Sequence, residues 1–221
     1  MSKGYKVKEI FYTLQGEGAH SGRPAVFCRF SKCNLWNGRE KDRADAICSF
    51  CDTDIKGIDG VNGGEYSSAE ELVAKVCDIW AANEIDNRFI VCTGGEPALQ
   101  VDTELVDLLH DAGFEIAIET NGTLPLPDRI DWVCCSPKGS SEVVLKKCNE
   151  LKLVFPQEGA MPDRFDDIEA EFYYLTPMSP PKIDDVIFPS EDDLTKRTIE
   201  YCLNEPKWRL NLQTHKVLKI A

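Results

Sequence analysis

Seven short apolar runs recur along the chain: AVFCRF (25–30), RFIVC (88–92), FEIAIE (114–119), DWVCC (131–135), LKLVF (151–155), FYYL (172–175) and WRLNLQ (208–213). They are nearly continuous rather than cleanly alternating. A strand with one wet face alternates polar and apolar residues. A strand buried on both faces does not, and that is the habit of parallel sheets whose faces are covered. An eighth β-like segment, VKEIFYTL (7–14), precedes them.

Helical periodicity is scarcer. SSAEELVAKVCDIWAAN (67–83) opens with Ser67 three residues before Glu70, a capping-box pattern. VDTELVDLLHDA (101–112) ends before Gly113, a good residue for a left-handed helix stop. SEDDLTKRTIEYCLNE (190–205) starts on Ser190 and stops before Pro206. Elsewhere the connections are too short or too rich in proline. The chain has 221 residues, fewer than the ~250 of a typical (β/α)₈ barrel. The predicted fold is therefore α/β: an incomplete, TIM-type barrel of parallel strands with few helices, forming one domain over 1–221.

The apolar fraction of 43% is enough for a core, and no window approaches the ~20 apolar residues of a membrane span. The segment MSKGYKVKEIFYTLQGEG has no apolar stretch like that of a signal peptide, so a cytoplasmic protein is expected. A net charge of −13 without any basic block argues against nucleic acid as a partner. Ten cysteines in a cytosolic chain suggest metal ligands, reactive thiols or small buried hydrophobes rather than disulfides. Cys28, Cys77, Cys92, Cys134, Cys135, Cys148 and Cys202 sit in strand-like or helix-like segments and read as packing residues.

Polar, Gly and Pro residues follow six of the runs: Ser31-Lys32-Cys33, Thr93-Gly94-Gly95-Glu96-Pro97, Thr120-Asn121-Gly122, Ser136-Pro137-Lys138, Thr176-Pro177-Met178 and Thr214-His215-Lys216. In a parallel sheet or barrel those ends share one face, and that face carries the site. Two glycines in "TGGEP" allow close approach of a ligand to backbone. Glu96 is suited to accept hydrogen bonds from a ligand ammonium, although a tight turn would use the same residues.

Cys33, Cys48 and Cys51 stand apart from the other thiols, with fourteen residues between the first two and two between the last. A structural zinc site takes four ligands, and the fourth is available from Cys28 or a distant His. The other solution is a four-iron cluster with three thiolates and one open iron. Ordinary electron-transfer clusters take four cysteines, so an open iron implies that a ligand binds there.

Three clustered cysteines after one strand and GGEP after the next resemble the radical S-adenosylmethionine enzymes. The ordered set "TLQGEG", "CNLWNG…CSFCDT", "TGGEP", "ETNG", "SPK" and "QTHK" is similar to the 7-carboxy-7-deazaguanine synthase family, in its branch with the long cysteine gap. The resemblance implies a [4Fe–4S] cluster on Cys33, Cys48 and Cys51, whose open iron chelates S-adenosylmethionine. It assigns Gly94, Gly95 and Glu96 to the methionyl part, Ser136, Pro137 and Lys138 to a second cofactor segment, Thr176, Pro177 and Met178 to the adenosyl group, and Glu119 to the ribose. The implied substrate is 6-carboxy-5,6,7,8-tetrahydropterin, with Leu14, Gln15 and Gly16 as a backbone clamp and Arg29 and Thr93 as further contacts. Arg suits a carboxylate because its fork binds bidentately. Thr53 matches a Mg²⁺ ligand, while Asp52 and Asp54 receive no role. The implied reaction abstracts hydrogen from the pterin, contracts its ring and releases ammonia. A homodimer and a flavodoxin- or ferredoxin-type electron donor are implied as well.

Two rivals remain at this level: a radical activase that modifies a partner protein, and a zinc-binding structural module. The gap 34–47 reads as a charged insertion beside the cluster, either a solvated loop or a docking surface for the electron donor.

Overall fold

The computed structural model describes residues 4–81, 86–178 and 193–220. Nine strands form one sheet: β1 (Tyr5–Leu14), β2 (Pro24–Phe30), β3 (Gly64–Tyr66), β4 (Phe89–Gly94), β5 (Glu115–Thr120), β6 (Trp132–Cys135), β7 (Lys147–Phe155), β8 (Glu169–Pro177) and β9 (Arg209–Leu210). Their order is β3-β1-β2-β4-β5-β6-β7-β8-β9. From β2 through β9 every neighbouring pair is parallel, while β1 runs antiparallel to both β2 and β3. This is an unclosed barrel with few helices, as expected.

All eight anticipated strands occur, though WRLNLQ yields only the two residues of β9. β3 was not anticipated; three residues are too short to show a period. Helix α1 (Ala69–Ala81) lies within the expected 67–83, α2 (Thr103–Asp111) within 101–112 and α3 (Asp193–Asn204) within 190–205. Residues 82–83 and 190–192 of those expectations lie outside the described residues. The cap of α1 is displaced by one position from the expected pair. Ser68 Oγ accepts from Glu71 N at 3.3 Å, and the Glu71 carboxylate reaches back to the amide and hydroxyl of Ser67, both at 2.7 Å. A fourth helix, α4 (Thr214–Leu218), follows β9.

The continuous apolar runs are explained by packing on both faces of the sheet, the outer side including a separate cluster of Cys135, Leu151, Leu153, Phe155, Leu175 and Trp208. On the outer face Val26, Cys28, Phe30, Ile90, Cys92, Ile116 and Ile118 pack against Leu72, Val76 and Trp80 of α1 and Leu105 and Leu109 of α2. On the inner face Ala25, Phe27, Phe89, Val91 and Ala117 fill the base of the barrel with Phe11 and Trp132. The open seam is stitched mainly by side chains rather than by a strand ladder. Asn211 accepts from Gly18 N at 2.8 Å, Gln213 donates to Glu17 at 2.9 Å, and the Thr214 amide and hydroxyl both donate to the Gly16 carbonyl, at 3.0 and 2.9 Å.

Candidate active site

Strand parity builds the site. Side chains of one parity face the barrel interior, and along β2, β4 and β5 they turn from apolar to polar toward the C-terminal end. Ala25 and Phe27 lead to Arg29, Phe89 and Val91 to Thr93, and Ala117 to Glu119. β7 brings Lys152 and Val154, and β8 brings Thr176. These polar ends line one cavity of about 590 Å³. Five cations (Lys8, Arg29, Lys138, Lys152, Lys216) and five carboxylates (Glu9, Glu17, Asp52, Asp54, Glu119) share its wall, so the pocket is balanced in a chain of net charge −13.

The three cysteines reach the rim together: Cys33, Cys48 and Cys51 all line this cavity. Cys33 follows the end of β2, where Lys32 adopts a left-handed φ of 75° and its amide bonds the Ile55 carbonyl at 3.0 Å. The Cys33 sulfur accepts from the Leu35 amide at 3.4 Å. The Cys48 thiol donates to Cys51. That bond is the main reason the Cys51 thiol is brought down to about 6, against the opposing effect of burial; it pushes Cys48 upward. The Lys138 ammonium also favours thiolates at both positions. Among the described residues, no three His, Cys, Asp or Glu side chains gather closely enough to grip a single metal ion. A four-iron cluster makes no such demand, because each thiolate takes a different iron. Three thiols on one cavity rim, too spread to close on a single ion, therefore suit a cluster better than a closed tetrahedral zinc site.

The glycine turn lies against the cysteine segment. Gly94 has φ of 128°, and a Cβ there or at Gly95 would run into the backbone of Phe30 or Lys32. Both positions thus need glycine for the close approach of two strand ends. Gly94 and Gly95 line the cavity and Glu96 does not. Its carboxylate is fully buried and takes three protein donors: Ala98 N at 2.9 Å, Thr120 Oγ1 at 2.7 Å and Asn121 N at 2.7 Å. Burial raises its pKa. Glu96 ties the TGGEP turn to the ETNG turn. Asn121 in turn donates to Asn34 at 2.9 Å, joining both to the cysteine segment.

Across the cavity, Glu119 accepts from Gln15 Nε2 at 3.1 Å and lies 3.4 Å from the Lys152 ammonium. Lys152, only 8% exposed, pairs with Glu17 at 2.8 Å. Arg29 lines the cavity but spends its Nε on Glu9 at 2.8 Å. Lys138 donates to the Ser136 hydroxyl at 2.5 Å and carbonyl at 2.6 Å. Leu14, Gln15, Gly16, Thr93, Ser136, Thr176 and Pro177 also line the wall. Pro137 and Met178 do not; the Met178 amide bonds the Phe155 carbonyl at 2.9 Å.

After Cys51, both carboxylates that resemble cation ligands are occupied. Asp52 pairs with Lys216 at 2.6 Å and Asp54 with Lys8 at 2.7 Å. Thr53 lines the cavity between them. Sequence reasoning assigned no role to Glu17, Lys152 or His215, which line it too. The trace of Lys152 was present as a charge inside the apolar run LKLVF. The insertion 34–47 contributes Leu35 and the buried Trp36 to the wall, so it is more than a solvated loop.

Comparison with known proteins agrees with this geometry. Residues 43–153 match the Radical SAM superfamily. The chain is 56% identical to a 7-carboxy-7-deazaguanine synthase of Bradyrhizobium diazoefficiens, over 98% of this chain and 99% of that one. It is 55% identical to the enzyme of the same name from Burkholderia multivorans, with the same coverage. It superposes on the crystal structure of QueE from Escherichia coli with a TM-score of 0.64, at 27% identity, covering 95% of this chain and 93% of that one. The cysteine triad, the glycine turn and these full-length similarities together place the chain in the 7-carboxy-7-deazaguanine synthase family of radical S-adenosylmethionine enzymes.

Proposed function

We propose that the chain converts 6-carboxy-5,6,7,8-tetrahydropterin to 7-carboxy-7-deazaguanine, by ring contraction with loss of ammonia, in 7-deazapurine and queuosine biosynthesis. One observation carries this reading: the cysteine triad, the glycine turn, Ser136 with Lys138, and Gln15 with Arg29 and Thr93 all line a single cavity. When bound, the cluster and S-adenosylmethionine supply a carbon-centred radical, and Mg²⁺ supplies charge at the substrate carboxylate.

The chain's own residues hold and orient. Cys33, Cys48 and Cys51 take the cluster, and the low pKa of Cys51 lets that thiolate form near neutral pH. Gly94 and Gly95 offer unobstructed backbone to the methionyl part. In this reading Glu96 acts through the turn it braces. Ser136 and Lys138, with Pro137 behind them, and Thr176 and Pro177, with Met178 following, flank the rest of the cofactor, and Glu119 meets the ribose. Leu14, Gln15 and Gly16 present backbone to the pterin, while Arg29 and Thr93 contact it. Thr53 takes Mg²⁺ through its hydroxyl, because Asp52 and Asp54 are held by lysines.

Membership in the family supports a homodimer and a flavodoxin- or ferredoxin-type donor. All ten cysteines are free thiols, which suits a reducing cytoplasm. Among the described residues no helix is long and apolar enough to cross a membrane. The test is anaerobic reconstitution. About four irons per chain, with an electron paramagnetic signal that changes when S-adenosylmethionine is added, is the expected result. A colourless protein with one zinc would refute it.

A further inference from the structure

The insertion carries three cations, Arg39, Lys41 and Arg43, among three carboxylates, Glu40, Asp42 and Asp45, and on charge alone its cations are equivalent. Their surroundings differ. Arg39 and Lys41 are exposed. Arg43 turns inward, and its Nη1 donates to two backbone carbonyls, Ser49 at 2.9 Å and Cys51 at 2.8 Å. Its Nε and Nη2 take both oxygens of Glu40, between 2.9 and 3.0 Å. Its guanidinium carbon stands 4.3 Å from the ring centre of Trp36, which is itself buried and lines the cavity. Only 21% of the Arg43 side chain is exposed, against 74% for Glu40.

The Glu40 pair by itself would contribute little. The two carbonyls matter more, because they belong to the turn that carries Cys48 and Cys51. A peptide unit is planar and trans, so a carbonyl aimed at Arg43 sends the following N–H the opposite way. The amides of Phe50 and Asp52 therefore face away from Arg43. Phe50, Cys51 and Asp52 line the cavity and Arg43 does not; the guanidinium grips the turn from behind. Backbone amides aimed at cluster sulfurs and a fixed charge nearby are two levers on a cluster's potential. A planar fork holds two carbonyls and a carboxylate at once, which the single ammonium of lysine does not.

We infer that Arg43 is a positioning residue for the iron–sulfur cluster: it fixes the Cys48–Cys51 turn through the Ser49 and Cys51 carbonyls, and so sets the stability and reduction potential of the cluster. The inference rests on the reading of Cys33, Cys48 and Cys51 as ligands. It removes Arg43 from any docking surface and leaves Arg39 and Lys41 as the exposed charges.

The test compares wild type, Arg43→Met, Arg43→Lys and the exposed control Lys41→Met after anaerobic reconstitution. Iron per chain, the midpoint potential by redox titration, and the rate of iron loss to a chelator are read for each. Arg43→Met should load iron, shift its midpoint to lower potential and release iron about tenfold faster, the lower end of what loss of an outer partner costs a metal site. Arg43→Lys should not restore the midpoint, and Lys41→Met should match wild type. Equal midpoints and release rates in wild type and Arg43→Met would overturn the inference. So would a defect seen only in turnover driven by a protein electron donor. If Arg43→Met does not fold, Arg43→Lys decides the matter by the same two readings. A wild-type protein that binds no four-iron cluster would instead overturn the ligand reading.

Discussion

Lys152→Met removes a buried cation from the cavity wall while keeping the length of the side chain. Lys152 is 8% exposed and Glu17 16%, their charged atoms 2.8 Å apart, with Glu119 at 3.4 Å. Breaking a buried pair from one side costs about 3–5 kcal/mol, because the remaining charge is left uncompensated. In a chain of this size each kcal/mol is worth about 2–4 °C, so the melting temperature should fall by roughly 6–20 °C. The pH dependence identifies the cause. In the wild type burial works to raise the Glu17 carboxyl, but the Lys152 ammonium and the Gln213 amide outweigh it and hold it at about 2. A depressed carboxyl contributes stability above its unfolded value, and that contribution is lost only as pH falls toward 2. In the variant burial acts unopposed by Lys152, the carboxyl rises, and the fold favours its neutral form. Lowering pH then relieves the variant while leaving the wild type nearly unchanged. Thermal melts at pH 7.5 and 5.5, followed by circular dichroism, should show a deficit that narrows at the lower pH. A deficit that stays constant or widens would refute the buried-pair argument.

Cys51→Ala should lose iron and cofactor cleavage, whereas Cys77→Ala, a partly buried packing thiol, should keep the wild-type iron content; iron analysis of both decides whether the right thiols were chosen. Thr53→Ala should weaken the response of turnover to Mg²⁺ more than binding of S-adenosylmethionine, as read by magnesium titration beside equilibrium binding. Gly95→Ala pushes a methyl group into the Lys32 backbone, so it should cost about 1–3 kcal/mol and reduce iron loading, checked by melting and metal analysis; an unaffected variant would show that the two strand ends can separate.

The strands were readable because both sheet faces are apolar, and for the same reason their parity was not. Phe27 and Cys28 look alike in sequence, yet one faces the barrel interior and the other faces α1 and α2. Polar residues near the ends of the runs carried the missing signal. Arg29, Thr93 and Glu119 were assigned through the family resemblance, whereas Lys152, inside LKLVF, was passed over. Long-range pairings were invisible. Glu96 looked free to bind a ligand because two of its three donors, Thr120 and Asn121, lie more than twenty residues away. The partners of Asp52 and Asp54 lie on α4 and β1, so nothing local showed that lysines hold them. Nothing in the sequence set Arg43 apart from the other charges of the insertion, because a carbonyl acceptor leaves no mark there.

In the proposed function this cavity performs the ring contraction. Its most direct test is anaerobic incubation of the reconstituted enzyme with 6-carboxy-5,6,7,8-tetrahydropterin, S-adenosylmethionine, Mg²⁺ and a chemical reductant, with product and ammonia measured by mass spectrometry and ammonium assay. 7-Carboxy-7-deazaguanine and ammonia should form in equal amounts, and neither should form with Cys51→Ala. Cleavage of S-adenosylmethionine by an iron-loaded wild type, without any deazaguanine, would contradict the proposed function.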